Sequence, residues 1–97
     1  MRYRFSSRAR EDYEDILNYT LQNWSHDQAQ KYESDLSAAL MRLELFPQLG
    51  RPSPDSGQNA RVLKVNQHLI VYSIEHNVIF ISRIIHSRRS PDINLDD

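Results

Sequence analysis

The chain has 97 residues, no cysteine, and 12 basic against 13 acidic side chains, for a net charge of −1. That length predicts one domain over residues 1–90, with a loose polar tail at 91–97, and a fold that hides only about 60–65% of its unfolded surface. The lack of cysteine excludes a disulfide framework and a thiolate metal site and fits a reducing cytosol, and the near-neutral charge argues against a chain built to coat nucleic acid.

Met1-Arg2-Tyr3-Arg4-Phe5 carries charge with no apolar run behind it, which predicts no secretory signal, and no later run is long enough to span a bilayer. The alternation Arg2, Tyr3, Arg4, Phe5 predicts a short strand with Tyr3 and Phe5 turned inward. Ser6 is placed to cap a helix directly after it. Ala9, Tyr13, Ile16, Leu17, Thr20 and Trp24 recur at helical spacing and predict an amphipathic helix from about Ser7 to Trp24. The acidic run Glu11, Asp12, Glu14, Asp15 admits an acid/base pair, but a solvated face near a helix N-terminus is the expected reading. Tyr13, Tyr19 and Trp24 are expected as packing residues, not as a platform for stacking bases.

Ser25-His26-Asp27-Gln28 has capping-box spacing, so a second helix starts after a minimal turn. Its stripe is Ala29, Tyr32, Leu36, Ala39, Leu40 and Leu43, and Pro47 stops it near Phe46. Two helices so closely joined make an antiparallel hairpin. Residues 47–60 hold three of the four prolines and both glycines and read as a returning loop. Arg51 within it reads as a surface residue or a ligand contact.

Arg61–Val65, His68–Ile74 and Val78–Ile85 are β-branched and aromatic runs separated by two or three turn residues, an antiparallel meander. The last run is apolar on both sides: strict alternation turns Val78, Phe80, Ser82 and Ile84 one way, and Ile79, Ile81, Arg83 and Ile85 the other. It is therefore expected inside the sheet. The fold class that results is α+β, with two helices on one face of a small twisted sheet. Because the helices cover one face only, the other is expected to expose an apolar patch rimmed by Arg61 or Lys64, Arg83, Arg88 and Arg89, the mark of a partner site.

Signs of catalysis are weak. His26, His68, His76 and His86 match no zinc spacing, no nucleophile elbow is present, and no catalytic residue, metal or cofactor is assigned. His86, beside Arg83, Arg88 and Arg89, reads either as an acid/base group or as a strand-end histidine bonded to backbone.

Several short matches occur in a fixed order: Ser6-x-x-Ala9, Ile16-Leu17-Asn18-Tyr19, Gln28-Ala29-x-x-Tyr32, Pro47-x-x-Gly50-Arg51-Pro52, Leu69-Ile70-Val71-Tyr72, and Arg83-Ile84-Ile85-His86-x-Arg88-Arg89. In them the chain resembles the ParE toxins of the RelE/ParE superfamily, the toxin half of type II toxin-antitoxin pairs. The resemblance covers about residues 1–89. It implies a cytoplasmic bacterial toxin that poisons DNA gyrase without enzymatic chemistry, with no direct nucleic-acid or membrane contact. It also implies a hetero-oligomer with a cognate antitoxin, a small DNA-binding protein with a disordered C-terminal segment.

On that basis Arg83, His86, Arg88, Arg89 and Arg51 are expected to bind the target. Leu69, Val71, Tyr72, Ile79, Ile81, Ile85, Arg61, Tyr13 and Leu17 are expected to bind the antitoxin. The alternatives are a RelE-like ribosome-dependent mRNA endonuclease and an inactive binding module. Such nucleases often keep an Arg in the third strand and a later Tyr, where this chain has Leu69 and Ile93.

Overall fold

The structure is a computed structural model that describes residues 1–89, the last of them in its backbone alone. The expected tail at 91–97 lies outside the described residues. The order is β1 (Arg2–Phe5), α1 (Ser7–Asn23), α2 (His26–Leu45), β2 (Arg51–Pro52), β3 (Arg61–Val65), β4 (His68–Glu75) and β5 (Val78–His86), with short 3₁₀ turns at Pro54–Ser56 and Ser87–Arg89. The α+β class holds, with the helix pair packed on one face of a mixed sheet.

Both helix starts are explained by their caps. Ser6 Oγ accepts from Ala9 N–H at 2.9 Å, and Ser25 Oγ accepts from Gln28 N–H at 3.1 Å, each giving a partner to an amide that the helix cannot bond itself. The strand order is β1-β5-β4-β3-β2. Thus β5 is interior, as its two apolar sides require, with β1 parallel on one flank and β4 antiparallel on the other. His76 and Asn77 both take left-handed backbone, with φ of 51° and 63°, which closes the two-residue β4–β5 turn in the sense that matches strand twist.

The strict alternation expected along β5 fails in its second half. Ile81 faces Tyr72 while Arg83 faces Val71, so Ser82 is an unpaired bulge residue. Past the bulge Ile84 joins Ile79 and Ile81 in the core under the helices, and Ile85 joins Ala60, Val62 and Val71 in a second, smaller cluster.

This shift overturns the apolar patch expected on the uncovered face. Among the described residues no large apolar side chain of β3, β4 or β5 is exposed. Val62 and Val71 are buried, the Arg4 guanidinium lies 5.6 Å over the Phe80 ring, and Ser73 donates to Glu75. The bulge thus turns Ile84 inward, while on that face Val62 and Val71 are buried with Ala60 and Ile85, Phe80 lies under Arg4, and Ser73 is polar. Exposed apolar surface lies instead on the helix pair and its exit, at Leu21, Trp24, Met41, Leu45, Phe46 and Leu49. Tyr3, expected to be buried, is also exposed.

The loop after α2 is pinned from the sheet. Tyr72 donates its hydroxyl to Pro47 O and accepts from Gly50 N–H, both at 2.8 Å, while Arg61 Nη1 donates to Gly50 O at 2.6 Å. Gly50 is needed there because a Cβ would lie 2.7 Å from Val62 O and 2.8 Å from the Tyr72 ring. We predict that Gly50→Ala costs about 1–3 kcal/mol through overpacking. Tyr72→Phe should cost about as much by orphaning the Gly50 amide. Both would appear as lowered urea midpoints.

Candidate functional site

The exit of β5 is held by α1. Asp12, on the inner side of the first helical turns, accepts from Arg83 Nε at 2.8 Å, from Arg83 Nη2 at 3.3 Å and from the Ile84 N–H at 2.9 Å. Arg8 Nε adds a looser contact at 3.7 Å. At the cap of the same helix, Ser6 donates its hydroxyl to Ser82 O, and Ser82 Oγ donates to Val71 O, so the bulge is braced on both sides. The Asp12 side chain is only 11% exposed, which corrects the reading of this acidic run as a wholly solvated face. The Ile84 amide, lying beyond the end of β1, finds in Asp12 the acceptor that a neighbouring strand would otherwise supply. Asp12 in turn keeps the Arg83 guanidinium even more firmly charged than usual.

A groove of about 620 Å³ opens between the C-terminal half of α1 and the paired ends of β4 and β5. Asp15, Tyr19 and Trp24 form one wall, and His68, Arg83 and His86 the other. Tyr19 is 61% and Trp24 72% exposed, so the structure corrects their assignment to packing. The helical stripe could not show this, because Trp24 is the C-cap of α1, where the helix ends and its face no longer lies on the sheet.

His68 and His86 are direct cross-strand partners with ring centroids 5.5 Å apart in edge-to-face contact. Tyr32 also makes an edge-to-face contact with His68, at 5.4 Å. His86 Nδ1 accepts from Arg88 N–H at 3.1 Å, the backbone-bonded alternative raised for this residue. Burial pushes the His68 imidazole below its ordinary value of 6.5, and the neighbouring His86 adds to that shift. Among the described residues no group of three or more His, Cys, Asp or Glu could hold a metal ion.

The structure therefore brings Arg83, His86 and Arg88 to one end of β5, with Arg83 tied to Asp12. Arg51 stands apart in β2, three strands away along the row Arg51–Val62–Val71–Arg83, roughly 14 Å across at ordinary strand spacing. Of the residues expected to meet an antitoxin, Leu69, Val71, Tyr72, Ile79 and Ile81 are each no more than 3% exposed. They are core, and a partner reaches none of them without opening the sheet. Arg61 is occupied with the loop carbonyls, and Leu17 and Ile85 are partly buried. Tyr13 is half-buried against Phe5 and donates to Glu33, and burial followed by that carboxylate pushes its phenol up to about 12.

The profile of the family described as "ParE toxin of type II toxin-antitoxin system, parDE" matches residues 3–91. This chain belongs to the ParE toxin family. It is 30% identical over 95 residues to Toxin ParE1 of Mycobacterium tuberculosis strain H37Rv, covering 97% of each chain. With Toxin ParE1 of Caulobacter vibrioides it shares 31% identity over 84 residues, 87% of this chain and 86% of the relative. The fold also matches a chain from the chromosomal ParDE TA system from P. aeruginosa, with a TM-score of 0.75 at 18% identity, over 89% of this chain and 95% of that one. As a ParE toxin of a type II system, the protein implies a cognate antitoxin as partner.

This geometry leads to two expected outcomes. Asp12→Ala removes the acceptor for the Ile84 amide and the partner of Arg83. Because Arg83 is 41% exposed, the ion pair itself contributes little and the orphaned amide dominates. The expected loss is about 1–3 kcal/mol in urea unfolding, with Asp12→Asn intermediate. For His68, the folded protein binds fewer protons than the unfolded chain, so its share of stability is present in full above pH 6.5. That share is lost as pH falls through the lowered folded value. Unfolding free energy should therefore drop between pH 7 and pH 5, and His68→Phe should flatten that drop.

Proposed function

We propose that this ParE toxin arrests growth by binding DNA gyrase and trapping it on broken DNA, without chemistry of its own, and that its antitoxin blocks it by covering the toxin. The family match over residues 3–91 carries the reading. The β5 exit supports a target-binding end: Arg88, exposed on the turn after the strand, is tied through its amide to His86, and His86 and Arg83 line a groove with Tyr19 and Trp24. Trp, Tyr and Arg are the side chains that most often dominate binding energy at protein interfaces. The antitoxin's place, in this reading, is the helix pair and its exit, where Met41, Leu45, Phe46 and Leu49 are exposed. A segment laid there would cover apolar surface that β3, β4 and β5 do not offer.

One observation favours mRNA cleavage instead: two imidazoles and an arginine line one groove. Against it, His86 Nδ1 is taken by the Arg88 amide, Arg83 is engaged by Asp12, and Leu69, where such nucleases often keep an Arg, is buried. The later position, Ile93, lies outside the described residues. Neither His86 Nδ1 nor Arg83 is thereby free to act as general base or charge stabiliser in the groove.

Expressing the toxin without antitoxin separates the readings. Gyrase poisoning predicts filamentation with induced DNA damage while translation continues. Immediate arrest of translation with cut mRNA would replace this reading by the nuclease one, and unimpaired growth would leave an inert module.

A further inference from the structure

The pairing of His68 with His86 lies at the base of the turn that carries Arg88. His86 is the last residue of β5, and the turn Ser87–Arg89 is tied back by two backbone bonds: Ser87 N–H to Gln67 O at 2.8 Å, and Arg88 N–H to His86 Nδ1 at 3.1 Å. The second bond exists only while Nδ1 bears a lone pair, because a protonated imidazole has no acceptor. The ring facing it across the strands, His68, is in contact with both His86 and Tyr32 and partly removed from water. A charge on either ring is therefore set against a near neighbour that cannot relieve it.

We infer that His68 and His86 form an acid-sensitive latch, in which neutral rings hold the Ser87–Arg89 turn closed against the end of β5 and protonation of the pair releases it. The other charged and titratable groups around the pair come from three elements. From α1, Asp12 is committed to Arg83 and Ile84, and Asp15 and Tyr19 line the groove wall. From α2, Tyr32 meets His68 with its hydroxyl unpartnered and its phenol raised by burial, and Lys31 is paired with Asp35. On the pair's own strand and turn stand two cations, Arg83 and Arg88. Asp15 is the one uncommitted carboxylate among the described residues of the groove lining.

The latch is a property of the isolated chain. Its effect on gyrase rests on the proposed role of Arg88, and the two are tested apart. In the full chain, hydrogen exchange at the Arg88 amide is followed by NMR from pH 8 to pH 5 and corrected for the intrinsic pH dependence of exchange. Loss of the bond should lower protection roughly two- to tenfold across the imidazole titration. His86→Phe should show the low protection at every pH, and His76→Gln, in the distant β4–β5 turn, should keep the wild-type profile. Constant protection in the wild type, or the same pH profile in His86→Phe, would overturn the latch. In parallel, inhibition of gyrase supercoiling at pH 6 and pH 8 should weaken at the acid value in wild type but not in His86→Phe. An opened turn with unchanged inhibition would keep the latch and remove its control of the target, while no inhibition at either pH would count against the gyrase reading alone.

Discussion

The carboxylate of Asp12 joins the two ends of the chain. It accepts from the side chain of Arg83 and from the backbone of Ile84, 71 and 72 residues away. The constraint behind it is a geometric one. β1 pairs with β5 only as far as Ile81, so the second half of β5 has β4 on one flank and no strand on the other. A buried amide there must find an acceptor or cost roughly 1–3 kcal/mol. Ser6 at the start of α1 and Asp12 further along the same helix supply the contacts that a strand would otherwise make, and they fix both the bulge at Ser82 and the direction in which the strand leaves the sheet.

The functional groups inherit this arrangement. Because α1 is fastened to the β5 edge, its far end carries Tyr19 and Trp24 past His68 and His86, and a groove forms between them. The buried strand row that includes Tyr72 holds the Pro47–Gly50 loop, which brings the chain from the helix pair into β2. Cationic and apolar surfaces are thereby separated, with Arg83, His86 and Arg88 at the strand exit and Met41, Leu45 and Phe46 on the helix pair.

Periodicity made most of the fold legible. The caps at Ser6 and Ser25, the helix stripes, the meander and the interior position of β5 all obey local rules that the packing does not override. The features that could not be read were set by pairing. Nothing in Ile81-Ser82-Arg83 announces a bulge, yet that one extra residue sends Ile84 inward and removes the apolar surplus that alternation implied. Asp12 is indistinguishable in sequence from the acids beside it, because its role depends on a strand edge far along the chain. The cationic end of β5 was visible as a cluster, whereas the helical stripe put Trp24 inside in its last position, and Tyr19, off that stripe, carried no local sign of the strand ends it faces. Composition likewise gave no sign that His68 and His86 face each other, since only the register of β4 on β5 brings them together.

In the proposed reading, two surfaces, one cationic and aromatic at the β5 exit and one apolar on the helix pair, divide target from antitoxin on a single small toxin. The most direct measurement compares, in a single preparation of Arg88→Ala, the concentration needed to inhibit supercoiling by gyrase with the affinity for the cognate antitoxin. Two distinct surfaces predict at least a tenfold loss of inhibition, or about 1.4 kcal/mol, with antitoxin affinity unchanged. Parallel loss of both, or loss of antitoxin binding alone, would contradict that division.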